Sequence, residues 1–410
     1  MSSVVRSVVA AAIAAAVIER GGTAQQPPSP GTWVTAWASS PQALGTKTIS
    51  NATVRMIGRA TLAGSAVRVR IDNTFGPAPL AVGAAYVGEP LTTRSGDSAS
   101  RGAALVAGSN RQLKFGGAAG VVVPQGGSVV SDAVSMAVAA HQDLAVSLYI
   151  AEAGVRPTQH TSAQVRSYLT ANDAGNAAAA ESKSLFTQST SSLFWLSGID
   201  VLAPAATAGA IVAFGDSITD GTCSSFDGHD RWLDWLAARL DAAGDAKAVV
   251  NAGIGSDTVT AVSGFSVPPG VVRLERDVLT LSGVSHVILL MGINDIRLGA
   301  TAAKIEAGMA DIIGRVHSSG ARIFGGTLLP RQDFPSQGTW SVAKNTIRAQ
   351  VNSWIRSQAP FDAVIDFDAV VRDPAAPDRY FPAYNCDSVH PNPRGYYRMG
   401  LSLNLDLFEP

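Results

Sequence analysis

The sequence has little of what attaches proteins to nucleic acids, metals or lipids. Charged residues make up only 15% of its 410 residues, and the formal net charge of -1 gives no excess of one sign for binding a polyanion or an anionic membrane. Neither the H-E-x-x-H nor the paired C-x-x-C spacing of metal sites occurs. We therefore expect no nucleic-acid partner, no metal and no cofactor.

Apolar runs long enough to cross a membrane are absent as well. The N-terminal run, residues 7–18, is shorter than the about 20 residues that span a bilayer. It follows Arg6 and precedes the small residues 22–24, an order typical of a cleaved export signal. We predict a signal peptide over residues 1–24 and a periplasmic or extracellular protein. The alternatives are a disordered tail and a buried helix.

The rhythm of the remaining chain changes near its middle. A chain of 410 residues exceeds the about 250–300 residues that one hydrophobic core supports. In residues 25–205, apolar and polar side chains alternate, as in 66–73 (AVRVRIDN), and glycine, proline and aspartate bound the short apolar runs. This pattern predicts an all-β domain, a sandwich or jelly roll. The small residues of 203–210 mark the expected boundary.

Strands alternate with helices from residue 206 to residue 410. A continuous apolar run occupies residues 210–214, and further mainly apolar segments of strand length occupy residues 248–253, 286–292, 321–329 and 363–367. Helical spacing of leucine and tryptophan appears in 230–240, and segments 301–318 and 342–358 are long enough for further helices. Such alternation predicts a parallel sheet with helices on both faces. Ligands of these sheets bind beyond the carboxyl ends of the strands.

Chemically useful residues follow these strands. They are Ser217 after the first, Gly255 and Ser256 after the second, Asn294 after the third, and Asp387 with His390 after the fifth. Because the carboxyl ends of parallel strands share one edge, we expect these residues to meet there. Each motif alone also fits an ordinary turn or cap. Together and in this order, they indicate one site.

This set of residues is the one that acyl transfer by serine requires. A serine hydroxyl is a weak nucleophile until a base removes its proton. Among the six histidines, only His390 has a carboxylate three residues before it, that of Asp387. We therefore expect a Ser217–His390–Asp387 triad. Donors to the oxyanion of the tetrahedral intermediate are expected from the Ser217 amide, an amide of Gly255 or Ser256, and the Asn294 side chain.

At these motifs the sequence resembles the SGNH, or GDSL, hydrolase superfamily. The segments FGDSITDG (214–221), GIND (292–295) and DSVHP (387–391) match its first, third and last motifs. The resemblance covers about residues 210–410 and implies a flavodoxin-like three-layer α/β/α domain. It also implies Ser217 as nucleophile, His390 and Asp387 as its partners, and Asn294 as an oxyanion donor. The G-x-S-x-G segment of lipase-type α/β-hydrolases is absent around Ser217.

The second motif departs from the family pattern. In NAGIGSDT, Ser256 stands where the family has glycine, and Gly255 lies one position earlier. Either residue offers a backbone amide, so both stay candidates for the second oxyanion donor. The front half resembles, less closely, the β-rich domain that precedes the catalytic domain in some bacterial members.

Both cysteines of the chain flank the predicted site. Cys223 lies six residues after Ser217, and Cys386 immediately precedes Asp387. If the two loops meet, their thiols come within bonding range, and in an exported protein an even pair of cysteines indicates a disulfide. We predict a bond between Cys223 and Cys386. The alternative is two separate buried thiols.

These observations predict an exported serine esterase that cleaves short-acyl or acetylated carbohydrate esters. The alternatives are the same triad acting on amides, thioesters or β-lactams, a carbohydrate-binding protein whose front domain does the work, and an inactive scaffold. The sequence leaves the oligomeric state open. Asp216 is interpreted as ordering the turn before Ser217. The remaining histidines are interpreted as structural at positions 141, 160, 286 and 317, and His229 with Asp230 as candidates for the cleft wall.

Overall fold

The computed structural model of the protein describes residues 31–95, 98–204, 209–261, 267–331 and 340–409. The predicted signal peptide, residues 1–24, lies outside the described residues, as does most of the predicted domain boundary, at 205–208. Within the described ranges, no helix combines the length and apolarity that crossing a bilayer requires.

The front half consists mainly of β-strands. Numbered in chain order, they are β1 (Thr32–Ala38), β2 (Ala43–Leu44), β3 (Ala52–Ala60), β4 (Gly64–Asp72), β5 (Leu80–Gly88), β6 (Pro90–Ser95), β7 (Ser98–Leu105), β8 (Arg111–Leu113), β9 (Val121–Val123), β10 (Ser128–Val130), β11 (Val134–Val138), β12 (Gln142–Ile150), β13 (Thr158–His160), β14 (Ser167–Leu169), β15 (Gln188–Thr190), β16 (Leu193–Phe194) and β17 (Leu196–Ala203).

These strands pair in antiparallel sheets, as the alternating pattern predicts. One sheet has the order β1-β17-β4-β10, with β11 also on β4, and another has the order β15-β14-β3-β12-β5-β8, with β9 on β5. Two smaller sheets are β16-β13-β2 and β6-β7. In β4, Val67, Val69 and Ile71 are buried, whereas Arg68 and Arg70 between them stay partly exposed. A front half made mostly of β-strands in antiparallel sheets is confirmed, and the sandwich or jelly-roll arrangement stays a prediction.

The second half alternates strands and helices. Its elements are β18 (Ala210–Gly215), α1 (Ser217–Asp220), α2 (Trp232–Ala243), β19 (Ala248–Gly253), α3 (Gly270–Leu274), β20 (Val284–Leu290), α4 (Ile293–Arg297), α5 (Ala302–Ser318), β21 (Arg322–Gly326), α6 (Val342–Ser357), β22 (Ala363–Ile365), α7 (Phe367–Val371), β23 (Arg372–Asp373), β24 (Ala376–Tyr380) and α8 (Pro393–Ser402). A π-helical turn, Glu275–Leu279, continues α3, and 3-10 turns occupy Pro382–Tyr384 and Leu405–Phe408.

A five-stranded parallel sheet with the order β19-β18-β20-β21-β22 forms the centre of this half. Alternate residues of β18 pack on its opposite faces. Val212 and Phe214 belong to the apolar cluster that includes α3, α5 and α6. Ile211 and Ala213 belong to the cluster that includes α2, α7 and α8. The three-layer α/β/α arrangement with flavodoxin-like strand order is therefore confirmed.

Two predicted strands are longer than the observed ones. The run 321–329 leaves the sheet after Gly326, because the amide of Leu328 donates to Asn352 of α6 (2.7 Å). The run 363–367 ends at Ile365, because the Asp366 carboxylate caps α7 and accepts from the Ala369 amide (3.2 Å). The apolar pattern of the sequence does not indicate these polar contacts, which determine where each strand ends.

The front half covers the open edge of the parallel sheet. The edge strand β19 presents the Val249 amide, which donates to Thr61 Oγ1 (2.9 Å). The same hydroxyl lies 3.0 Å from the carbonyl oxygen of Ala36, to which it can donate its single hydrogen. Nearby, the Thr35 amide donates to the Ser282 carbonyl oxygen (2.9 Å). Exposed edge strands can pair with other chains, and the contacts of the front half cover the edge strand β19. One apolar cluster extends through both halves.

Replacing Thr61 with valine tests this edge contact. The substitution keeps the side-chain shape but leaves the buried Val249 amide without an acceptor, so we expect a loss of about 1–3 kcal/mol in the free energy of unfolding, measured by urea titration. The matched control is Thr346→Val on α6, whose hydroxyl bonds only to its own exposed helix turn. That variant should stay within about 0.5 kcal/mol of the parent. Equal stability of Thr61→Val and the parent would contradict the interpretation.

Candidate active site

The loops after three strands of the parallel sheet begin at the same edge of that sheet. Gly215, the last residue of β18, pairs with Gly253 on one side and with Leu290 on the other. The chain therefore leaves β18, β19 and β20 at the same edge. The first loop contains Ser217, and the third contains Asn294. The loop after β19 contains Gly255 and Ser256, so four of the predicted residues start from one rim.

The turn before Ser217 is held by its neighbours in the sequence. A Cβ atom on Gly215 would lie 2.2 Å from Thr219 Oγ1 and 2.7 Å from the Leu290 carbonyl oxygen, so only glycine fits. The Asp216 carboxylate caps α1 and accepts from the Ile218 amide (3.0 Å). Burial raises the pKa of Asp216 to about 7, against that hydrogen bond. This geometry agrees with the interpretation that Asp216 orders the turn.

Ser217, His390 and Asp387 form a continuous chain of hydrogen bonds. Ser217 Oγ lies 2.8 Å from His390 Nε2, and His390 Nδ1 lies 2.7 Å from Asp387 Oδ2. Burial alone would raise the pKa of Asp387, but the His390 side chain and neighbouring backbone amides lower it to about 2. An ionised carboxylate only accepts, so Nδ1 carries the proton and Nε2 has a free lone pair for the hydroxyl hydrogen.

The loop that carries His390 is fixed from several directions. Asp387 Oδ1 accepts from the amides of Val389 (3.0 Å) and His390 (2.8 Å). Ser388 has φ +69°, and its amide donates to Asn385 Oδ1 (2.7 Å). The Tyr380 hydroxyl donates to the Val389 carbonyl oxygen (2.8 Å). These contacts fix the orientation of the His390 imidazole.

A disulfide ties this loop to the one that begins at Ser217. Cys223 and Cys386 are bonded across a sequence separation of 163 residues, as predicted. The amides of Gly221 and Thr222 both donate to the Ser217 carbonyl oxygen at 3.0 Å, so Cys223 is close to the start of α1. The bond therefore links the segment that holds the hydroxyl to the segment that holds the imidazole.

Asn294 connects the loops after β19 and β20. Its Nδ2 donates to the Asp257 carbonyl oxygen (3.0 Å), and because a primary amide has two N–H groups, one remains for another acceptor. The adjacent Asp295 accepts from the amides of Val259 (2.8 Å) and Thr260 (3.0 Å). Ser256 has φ +64°, in the left-handed region that favours glycine.

Arg273 lies beneath this rim, and no sequence motif points to it. The side chain is fully buried, and its Nε donates to Asp257 Oδ2 (2.6 Å). Nη2 donates to the Gly215 carbonyl oxygen (2.8 Å) and Nη1 to that of Ala252 (2.9 Å). It thereby joins the ends of β18 and β19 to the loop after β19. Its surroundings, GVVRLERD, carry no catalytic motif, and the one available signal was an arginine within an apolar helical segment.

The other two candidates lie against neighbouring segments. His229 is buried with Nε2 3.6 Å from Asp143 Oδ1 of the front half. Asp230 accepts from the Ser225 amide (2.9 Å) within the loop between α1 and α2. The described contacts of both residues thus stabilise this loop and its junction with the front half.

Comparison with known proteins identifies relatives of the second half. Residues 213–398 match the model of the GDSL-like lipase/acylhydrolase family, which confirms the predicted resemblance. A search of curated proteins finds no match. Similar solved structures include a carbohydrate acetylesterase from Sinorhizobium meliloti, with 16% identity over 49% of this chain and 100% of that chain and a TM-score of 0.39. An aryl esterase from M. smegmatis is 20% identical over 49% of this chain and 99% of that chain, with a TM-score of 0.39. A GDSL-like lipase from Bacteroides thetaiotaomicron is 19% identical over 48% of this chain and 87% of that chain, with a TM-score of 0.37.

Removal of the disulfide tests its part in the site. In Cys223→Ser/Cys386→Ser, we expect the unfolding free energy to fall by about 2–4 kcal/mol, because the unfolded chain loses a cross-link. We also expect kcat for p-nitrophenyl acetate to fall roughly 10- to 100-fold, because small displacements of a catalytic group are costly. Dithiothreitol should impair the parent and leave the double variant unchanged. A double variant with parental stability and kcat would refute both expectations.

Proposed function

Since residues 213–398 form a GDSL-like lipase/acylhydrolase domain, the protein is a carboxylic ester hydrolase, and we propose that Ser217, His390 and Asp387 are its catalytic triad. The observation that carries the proposal is the chain of hydrogen bonds from Ser217 Oγ to His390 Nε2 (2.8 Å) and from Nδ1 to Asp387 Oδ2 (2.7 Å). Nucleophile, base and orienting carboxylate are thus already in contact.

In the proposed reaction, Ser217 Oγ attacks the ester carbonyl carbon while His390 Nε2 takes the hydroxyl proton. The tetrahedral intermediate collapses as His390 returns this proton to the leaving alcohol, and an acyl-serine ester remains. A water molecule then gives its proton to His390 and attacks the acyl carbon. The second intermediate releases the acid, and the proton returns to Ser217. Asp387 stays ionised and stabilises the imidazolium in each half-reaction.

The developing oxyanion requires donors aimed at it from the same rim. We assign this role to the Ser217 amide, to the amide of Gly255 or Ser256, and to the free N–H of Asn294 Nδ2. The hydrogen bond from Nδ2 to the Asp257 carbonyl oxygen (3.0 Å) supports this assignment, because it fixes the side-chain amide without using both of its hydrogens. Donors that are already oriented need no reorganisation when charge develops.

We further propose small or carbohydrate-borne esters, such as acetylated saccharides, as the substrate class. Ser217 and His390 are both partly exposed at the rim, so a bulky alcohol can remain outside while its acyl group reaches the hydroxyl. Hydrolysis of p-nitrophenyl esters of increasing acyl length, of acetylated xylan, and of a chromogenic cephalosporin would test this choice. We expect acetyl esters to have the highest kcat/KM, and preference for long acyl chains or for the β-lactam would overturn it.

Export of the protein, with residues 1–24 removed and residues 206–410 as the catalytic domain, remains our proposal. The bond between Cys223 and Cys386 supports it, because disulfides persist in oxidising compartments.

Substitution of the nucleophile gives the primary test. Ser217→Ala should lower kcat for p-nitrophenyl acetate by at least about 10⁴-fold and abolish labelling by a fluorophosphonate, because both reactions need the hydroxyl. The matched control is Ser318→Ala. Ser318 ends α5 and bonds only within that helix, at the opposite edge of the sheet. Retained labelling in Ser217→Ala, or equal losses in both variants, would defeat the proposed triad.

The oxyanion assignment makes a separate prediction. Asn294→Ala should lower kcat by about 10²–10³-fold with little change in KM, because the donor acts on charge that develops only in the transition state. Asn294→Asp, which keeps the shape but places an acceptor there, should be at least as impaired. Thermal unfolding of each variant monitors the lost contact with Asp257. A folded Asn294→Ala with kcat within threefold of the parent would remove Asn294 from the oxyanion hole.

A further inference from the structure

A histidine of the front half contacts the short helix that begins at Ser217. His160, the last residue of β13, is buried with only 5% of its surface exposed. Its Nδ1 lies 2.8 Å from the carbonyl oxygen of Ser40, and its Nε2 lies 3.1 Å from Asp220 Oδ1. Asp220 is the last residue of α1 and is buried as well. From the sequence alone, His160 is interpreted only as structural.

The partners of His160 define its protonation. A backbone carbonyl oxygen can only accept, so Nδ1 must carry a hydrogen. The Asp220 carboxylate also accepts, so Nε2 carries a second hydrogen if this 3.1 Å contact is a hydrogen bond. The geometry therefore fits an imidazolium paired with a carboxylate, inside the junction of the two halves. A neutral His160 would leave two lone pairs facing each other at Asp220.

Asp220 is coupled directly to the nucleophile's turn. Its amide donates to the Asp216 carbonyl oxygen (2.9 Å), which closes the turn in which Ser217 lies. Its own carbonyl oxygen accepts from Arg231 Nη1 (3.4 Å). Because α1 contains just four residues, a displacement of Asp220 is not absorbed by further helix and reaches Ser217.

We propose that His160 is a positioning residue for the ester hydrolase, holding α1 through Asp220 so that Ser217 Oγ stays aligned with His390. The proposal rests on the proposed role of Ser217 as nucleophile. It assigns to the front half an indirect part in catalysis, through Asp220 and α1. It also implies a loss of kcat on the alkaline side, where His160 gives up the Nε2 proton and its bond to Asp220.

The charged groups around His160 support retention of this proton. Burial opposes the imidazolium, but the charge and hydrogen bond of Asp220, with the Ser40 carbonyl, prevail and raise the pKa of His160. Arg231 acts in the opposite direction, and it is itself paired with Asp234 at 2.9 Å. The proton is therefore retained to a higher pH than on an ordinary imidazole and is lost as the pH rises through this elevated pKa.

Other charged side chains share a small cavity with this pair. Arg59 and His229 line it and both lie near Asp143, at 3.0 Å and 3.6 Å. The cavity measures ≈ 40 Å³, enough for a few water molecules at roughly 10–15 Å³ each and too little for a substrate. The junction thus fits a role in holding α1 better than a second binding site.

The test is a comparison of pH profiles of kcat for p-nitrophenyl acetate. In the parent, kcat should decline at alkaline pH. His160→Gln, whose amide nitrogen can donate to Asp220 without titrating, should retain at least a third of the neutral-pH kcat and lose this decline. His160→Leu, which cannot donate, should have a kcat at least tenfold below that of the parent at neutral pH, with KM within twofold, and should approach the parent at alkaline pH, where the parent has lost the same bond. A folded His160→Leu with parental kcat would overturn the proposal.

A second variant covers the possibility that His160→Leu does not fold. Asp220→Asn keeps the side-chain volume and removes the charge that retains the proton, so the alkaline decline should move to lower pH by at least one unit. A purely structural pair would instead scale kcat equally at every pH, which would refute the positioning role. The matched control is His317→Gln, which alters a partly exposed histidine 3.0 Å from Asp362 at the far edge of the sheet and should leave the profile unchanged.

Failure of the positioning role and failure of the proposed function have different signatures. If Ser217→Ala keeps its fluorophosphonate labelling, the nucleophile itself is wrong. If Ser217→Ala loses labelling while His160→Leu and Asp220→Asn retain parental rates and pH profiles, the triad stands and only the role of His160 is wrong.

Discussion

The site depends on one hydrogen bond between residues far apart in the chain. Ser217 Oγ and His390 Nε2 lie 2.8 Å apart although 173 positions separate them. A serine hydroxyl without a base at this distance is only a weak nucleophile. The stabilising contacts near the rim hold either the Ser217 hydroxyl or the His390 imidazole in place. Sheet register and Asp216 fix the hydroxyl, and Asp387 with Tyr380 fixes the imidazole, whereas the disulfide joins the two sides.

Beneath the rim, Arg273 performs the same task with charge. A buried guanidinium is costly unless its donors are satisfied, and here they reach the Asp257 carboxylate and the carbonyl oxygens of Gly215 and Ala252. Those carbonyls belong to the last residue of β18 and the second-to-last residue of the adjacent strand β19. Strand ends ordinarily fray, because their last carbonyls lack partners. The arginine supplies partners at the place where the loops with Ser217 and Gly255 begin, so it stiffens the base of the site without touching the reacting atoms.

The sequence predicted the features that depend on residues close together in the chain. Ser217, Asn294 and His390 sit in short motifs whose neighbours shape their own turns, so position along the chain was enough to identify them. Strand and helix periods were likewise local, and the parallel sheet with helices on both faces followed from them. Arg273 and His160 act through partners 16 to 60 or more residues away, such as Asp257 and Asp220. The one local signal for Arg273 is a charged residue within an apolar helical segment, and no local pattern indicates a role for His160, so the packed structure is needed to reveal these contacts.

The α/β hydrolase domain of this protein benefits from the β-rich half in front of it. Its sheet ends at β19, and an open edge strand next to the loop with Gly255 and Ser256 would leave that loop weakly supported. Thr61 satisfies this edge, and His160 reaches past it to the helix of Ser217. The two contacts act on neighbouring parts of the rim, one on the strand before the loop with Gly255 and Ser256 and one on the turn that holds Ser217. The front half therefore stabilises the geometry of catalysis from the side that the helices of the second half do not cover.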